Sequence, residues 1–163
     1  MTQGNREIIA NLDRLYEFMD KENLSAVVIR SGTNFTYLAG FSSPGTLGRH
    51  LELPDSPREV LLIWPRHGKP ILVLNHIAEP LARRDSWLEC IELYEGYSES
   101  PYTKVGELLT EMGLHKEKIG FEKSYLNAIR WEELHKLLPQ ALIVDCGPLM
   151  SAVRWIKTPG EID

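Results

Sequence analysis

Val60-Leu61-Leu62-Ile63-Trp64-Pro65-Arg66-His67-Gly68-Lys69-Pro70-Ile71-Leu72-Val73-Leu74 is the stretch that decides the architecture of this chain. Two short runs rich in Val, Ile and Leu flank a polar connection that contains a glycine. Such runs read as strands, and a short polar link between them reads as a β-hairpin. A hairpin fixes at least one antiparallel pair. The sequence on both sides alternates helical and strand patterns, which implies a sheet covered by helices. The expectation is therefore an α/β fold with a mixed, mostly parallel sheet flanked by helices.

Upstream of the hairpin, Ile8, Ile9, Leu12, Leu15, Tyr16 and Met19 recur at helical spacing, and the helix ends near Asn23. Ala26-Val27-Val28-Ile29 reads as a buried strand, broken by Ser31-Gly32. Asn34 to Leu38 is expected to make a helical turn stopped by Gly40. Downstream, a helical stretch points Ile77, Leu81, Ala78 and Ala82 inward, and Leu88 to Tyr94 reads as a strand. Val105, Leu108, Leu109 and Met112 mark a helix closed by Gly113, before a short strand at Lys118 to Glu122. Ser124 is expected to cap a helix that uses Leu126, Ile129, Leu134 and Leu137. Ala141 to Val144 is the last strand. Pro148 then opens a helix with Leu149, Val153 and Ile156 on its core face.

Residues 42–58 hold Ser42, Ser43, Pro44, Gly45, Gly48, Pro54, Asp55, Ser56 and Pro57, the chemistry of a long loop. Loops of this length are mostly functional or disordered, and this one carries Arg49, His50 and Leu51 between its breakers.

The chain has 163 residues, enough for one domain with a substantial core. Its net charge of -5 argues against the basic face that nucleic-acid binding needs. No apolar run approaches the length of a membrane span, and the polar start lacks the core of a signal peptide. Cys90 and Cys146 make no CxxC pair, so the expectation is two buried free thiols in a reducing, cytoplasmic setting.

Catalytic motifs are missing. There is no GxSxG elbow, P-loop or GxGxxG. His50, His67, His76, His115 and His135 show neither HxH nor HExxH spacing. His115 and His135 read as solvated, and so do the loop acids Glu52, Asp55 and Glu59. Catalysis by this chain alone is poorly supported. At the end, Thr158-Pro159-Gly160-Glu161 has the form of a helix start with a capping box, yet only Ile162 and Asp163 follow. A helix that short does not hold itself in water. The expectation is a domain over 1–157, with 158–163 opening a linker or helix into a C-terminal catalytic domain that is missing here.

Four segments resemble a known family in order and spacing. Leu24-Ser25-Ala26-Val27-Val28-Ile29 resembles its first strand, and Asn34-Phe35-Thr36-Tyr37-Leu38-Ala39-Gly40-Phe41 its N-x-x-Y-L-x-G-F segment. Ile119-Gly120-Phe121-Glu122 is similar to its I-G-x-E strand, and Arg154-Trp155-Ile156-Lys157 with Glu161-Ile162 to its R-x-x-K-s-x-x-E-I junction. The family is the "pita-bread" metallopeptidase group of prolidase, aminopeptidase P and creatinase, and the part resembled is the N-terminal domain.

The resemblance implies a ribonuclease-H-like fold. It also implies two divalent metals, commonly manganese, held by Asp, Glu and His of the C-terminal domain, with no metal ligand and no catalytic residue in this chain. Partners implied are the chain's own catalytic domain, a second subunit in a homodimer, and a peptide or small amide substrate. The segment after Phe41 is the part that reaches toward the other subunit's active site. By position, Arg49 resembles a substrate-facing arginine of the creatinase branch, whose planar fork suits a carboxylate, with His50 beside it. Phe35, Tyr37 and Phe41 read as core packing first, and as lining of a dimer or domain interface second. The first functional reading is thus a non-catalytic domain of a metal-dependent Xaa-Pro peptidase, serving dimerisation and substrate access. An N-terminal domain of a creatinase-like amidinohydrolase and a protein-binding module without catalysis stand as alternatives, and a self-standing small enzyme is disfavoured.

Overall fold

Leu15 and Met19, one helical turn apart, are fully buried, and they set the first helix against the sheet. The computed structural model describes residues 8–42, 59–96 and 98–162. Helix α1 spans Leu12–Lys21. It starts at Asn11, whose side-chain oxygen accepts from the Arg14 N–H at 3.2 Å. Ile8 and Ile9, expected on this helix, precede the cap and are exposed. Beyond Glu22 the chain turns through Asn23 in the left-handed region and enters β1 (Ala26–Arg30). Helix α2 (Thr33–Ala39) follows, closed by Gly40 at φ 74°.

The hairpin is present as β2 (Leu61–Pro65) and β3 (Ile71–Asn75), with Leu62 facing Leu72. Then come α3 (Glu79–Asp85), β4 (Cys90–Tyr94), α4 (Pro101–Glu111), β5 (Lys118–Phe121), α5 (Ala128–Leu137), β6 (Leu142–Asp145) and α6 (Gly147–Trp155). Short 3-10 turns occupy Lys123–Tyr125 and Pro159–Glu161.

The six strands form one sheet in the order β4-β3-β2-β1-β5-β6. β2 runs antiparallel to β1 and β3, while β3–β4, β1–β5 and β5–β6 are parallel pairs. Five strands thus run one way and β2 alone runs against them, the mixed, mostly parallel, ribonuclease-H-like arrangement.

Successive strand residues alternate between two cores. Val27, Ile29, Leu62, Trp64, Leu72 and Leu74 face α1, α2, α3 and α6. Ala26, Val28, Leu61, Ile63 and Val73 face α4 and α5. Covering both faces explains why the central strands read as unbroken apolar runs. Gly120 lets β5 pass under α6: a Cβ there would lie 2.7 Å from the Cys146 Cβ.

Several side chains depart from expectation. Ser124 lies in the 3-10 turn, and α5 is capped instead by Asn127, whose side chain accepts from Arg130 N at 2.8 Å. That later start leaves Leu126 outside the helix, and Ile129, about 140° round the helix from the buried Leu134, is exposed. Ile77 is exposed because it sits in a turn held by Asn75, while Ala78 and Ala82 do the packing. Ile156 lies past the end of α6 and is exposed as well. Cys146 is buried and Cys90 half-buried, both as free thiols.

Candidate functional site

β1 and β5 run parallel as neighbours, so their carboxyl ends open side by side. In open α/β sheets this is where functional groups gather. Glu122, the residue after β5, is almost fully buried there. One of its oxygens accepts the Arg30 backbone N–H at 2.9 Å, and the other accepts Asn34 Nδ2 at 2.7 Å. Asn34, in the first turn of α2, uses its own oxygen to accept Arg154 Nη1 of α6 at 2.8 Å. Three separate segments are thereby tied to the end of β1.

The Arg30 side chain continues the array. Its Nε lies 3.4 Å from a Glu59 carboxylate oxygen, and its guanidinium lies over the Tyr125 ring at 5.1 Å. Tyr102 donates to the same Glu59 oxygen at 3.2 Å, and the Tyr94 hydroxyl donates to the Glu59 carbonyl. A cavity of about 10 Å³ lies between Arg30, Tyr102, Glu122 and Leu126. That is too small for a substrate.

Burial raises the Glu122 carboxyl above its ordinary value, against the opposing pull of the Asn34 and Arg30 bonds. Burial likewise raises the Tyr102 hydroxyl, with the Glu59 charge adding to it. A raised carboxyl can mark a catalytic acid. Here both oxygens are committed to fixed donors, so the array works as a brace. It joins α6 and α2 to the ends of β1 and β5, and it meets Glu59 as the chain enters β2.

The sequence pattern described as the creatinase/prolidase N-terminal domain matches residues 11–156. This chain belongs to that family. A curated relative, an uncharacterized hydrolase/peptidase of Sinorhizobium fredii, is 26% identical over 159 residues, covering 96% of this chain and 40% of its own length. The chain thus spans about two fifths of that relative. A prolidase from Thermococcus sibiricus shares the fold at TM-score 0.70 and 23% identity, covering 91% of this chain and 38% of the prolidase. The solved creatinase/prolidase N-terminal domain of an X-Pro dipeptidase from Streptococcus pyogenes matches at TM-score 0.66 and 17% identity, covering 86% of this chain and 96% of that one.

Within this creatinase/prolidase N-terminal domain, the brace uses one polar residue from each of three family-like segments: Asn34, Glu122 and Arg154. The sequence pattern marks those segments but does not mark these three side chains as partners. The signal was available, since a lone Glu directly after an apolar strand must find partners if it is buried. Arg30 and Tyr102 carried no comparable signal, and Glu59, expected to be a solvated loop acid, is instead mostly buried, paired with Arg30 and accepting from Tyr102.

Arg49 and His50, with Glu52 and Asp55 of the same loop, fall outside the described residues. Phe35, Tyr37 and Phe41 are all buried in the core of the single chain. Phe35 and Phe41 meet edge to face at 5.2 Å between centroids. The Tyr37 hydroxyl accepts the Asn11 N–H at 2.7 Å, and burial raises its pKa. His67 and His76 are exposed; His135 is exposed with its Nδ1 2.8 Å from the Trp131 carbonyl, and His115 is half-buried.

A surface cleft of about 420 Å³ opens at the other end of β1, lined in part by Asp20, Ser25, Arg66 and Glu117. Asp20 is paired with Arg66, and Glu117 accepts the neutral Ser25 hydroxyl at 3.2 Å. Among the described residues, no three His, Cys, Asp or Glu side chains are arranged to hold a metal ion. Among the described residues the two-metal centre that the resemblance implies finds no ligand set, and no reaction step is assigned to it.

Proposed function

We propose that this domain is the non-catalytic N-terminal part of a metal-dependent Xaa-Pro peptidase of the prolidase or aminopeptidase P kind. The observation that carries this reading is the match in fold to an isolated N-terminal domain of an X-Pro dipeptidase, of which this chain covers 96%. The curated relative named as a hydrolase/peptidase supports it. In this reading the catalytic domain follows residue 157 and holds two divalent metals, manganese first, through its own Asp, Glu and His side chains.

The N-terminal domain then serves dimerisation and substrate access. The segment with Arg49 and His50 reaches toward the partner subunit's active site, where Arg49 meets a substrate carboxylate. Phe35, Tyr37 and Phe41 contribute to that interface by fixing α2 beneath it. The Arg154–Asn34–Glu122 brace supports the same role by giving the domain a rigid frame. Two free thiols suit the reducing setting of a cytoplasmic enzyme.

The test is a substrate panel on the protein extended through its catalytic domain: an Xaa-Pro dipeptide, a longer peptide with Pro in the second position, and creatine. Cleavage before proline supports the proposal. Turnover of creatine alone assigns the amidinohydrolase branch, and no turnover of any substrate assigns a binding module.

A further inference from the structure

The cleft at the amino end of β1 lies at the opposite end of that strand from the Glu122 brace. Its volume of about 420 Å³ is that of a small-molecule site. Helices α1 and α4 both finish there: Asn23 and Leu24 follow α1, Gly113 and Leu114 follow α4, and all four line the cleft. The last carbonyls of a helix carry a partial negative charge, so two helix ends of the same sign meet at one opening. Leu24 and Leu114 give it an apolar wall beside these polar ends.

The ionised side chains of the cleft add to that sign. Arg66 Nε and Nη2 both donate to the Asp20 carboxylate, and the guanidinium lies over the Tyr16 ring at 5.0 Å. The Arg66 hydrogen bonds hold the Asp20 carboxyl below its ordinary value, so the two form a fixed ion pair with no net charge. Glu117 is different. It is exposed, it accepts only the neutral Ser25 hydroxyl, and among the described residues no cation pairs with it. Lys118, its neighbour in the chain, donates instead to the Glu22 carbonyl at 2.6 Å. One carboxylate is therefore left uncompensated where two helices end. A metal ion is the wrong cation for this place, because no three ligating side chains converge among the described residues.

We infer that this cleft binds a small organic cation, an ammonium group on a short alkyl stem. The ammonium sits against Glu117, and its three donors suit a carboxylate together with helix-terminal carbonyls. The stem lies along Leu24 and Leu114. Ser25 orients the carboxylate, and the Asp20–Arg66 pair forms the far wall without competing for the ligand. Anions of the same size are excluded by the sign of the site. The inference stands apart from the peptidase reading, since it uses neither a catalytic domain nor the end of the sheet that carries the brace.

The experiment is an amide NMR titration of the 163-residue chain with three probes: cadaverine, acetyl-lysine methylamide, and butyrate as an anion with a similar stem. Both ammonium probes are expected to shift the Asn23, Ser25, His67 and Leu114 signals with saturation, and butyrate to leave them in place. Tighter binding of cadaverine assigns a free amine as the ligand, and tighter binding of acetyl-lysine methylamide assigns a lysine side chain. Glu117→Gln keeps an acceptor for Ser25, so it is expected to leave the melting temperature unchanged. It should weaken ammonium binding about threefold to fivefold. Glu132→Gln, on α5 and outside the cleft, should leave binding as it is. Shifts that do not saturate, or that butyrate reproduces, overturn the inference. So does equal weakening by the two variants, which would mean attraction to the overall charge of -5 rather than to this site.

Discussion

Arg154 Nη1 donates to Asn34 Oδ1 at 2.8 Å, joining residues 120 positions apart in the chain. Asn34 passes the connection on to Glu122, so one side chain couples the last helix to the end of β5. Buried polar arrays of this kind are costly when half satisfied. Asn34→Ala is expected to destabilise the domain by about 2–4 kcal/mol, because it strands both neighbours. Urea unfolding of Arg154→Ala, Glu122→Gln and the double variant should give a coupling energy above about 0.5 kcal/mol. The coupling should vanish in an Asn34→Ala background. Additive effects in the native background would show that the array is three independent contacts.

The Glu122 carboxyl also sets a pH dependence. Burial raises its folded pKa above the ordinary 4.5, so the native state binds this proton more tightly than the unfolded chain does. A group shifted this way contributes fully below its unfolded pKa, and that contribution is lost as pH rises through the folded value. The stability advantage of the wild type over Glu122→Gln is therefore expected to be larger near about pH 4 than near about pH 7.5. Paired urea titrations at the two pH values read it. A gap that widens with pH would mean that the ionised carboxylate is the favoured form.

Much of the fold was legible beforehand, and the reason is local. The runs at Ala26–Ile29, 60–64 and 71–74 are apolar on both faces, so they could be only central strands or buried helix, and their length and Val/Ile content decided it. The misplaced side chains sit where a cap or turn sets the helix phase. Asn127 rather than Ser124 starts α5, and that leaves Leu126 outside the helix. Asn11 starts α1 after Ile8 and Ile9. Capping residues are frequent in loops, and only the tertiary partner tells which one is used. The brace was hidden for a different cause. Asn34, Glu122 and Arg154 meet only once the sheet is assembled, and no spacing in the sequence announces a contact over such separations.

Gly120 is a test of close packing. A methyl group there meets the Cys146 Cβ at 2.7 Å and the Val27 side chain at 3.2 Å. Gly120→Ala should cost about 1–3 kcal/mol through overpacking. Adding Cys146→Ala should not restore stability, since the clash is with Cβ, whereas Cys146→Gly should recover part of it. Restoration by the alanine would place the clash at the sulfur instead.

The two thiols should be told apart by reactivity. Burial pushes the Cys146 thiol well up, and the nearby Glu122 and Asp145 charges add to this, so little thiolate forms. Cys90 is half-buried on the edge strand β4. In native protein at mildly alkaline pH, a thiol-specific disulfide reagent should modify one cysteine rapidly, identified as Cys90 by mass spectrometry. Cys146 should react only as fast as the domain unfolds. Rapid reaction of both would contradict the packing of α6 on β5.

The central claim is that this domain contributes frame and access while the chemistry lies in a second domain. The most direct test is hydrolysis of an Xaa-Pro dipeptide with excess manganese, comparing the 163-residue chain with the protein extended through its catalytic domain. The account predicts turnover only in the longer protein. Turnover by the 163-residue chain itself would contradict it, and would direct attention to Arg49, His50 and the acidic residues of that loop as a catalytic site.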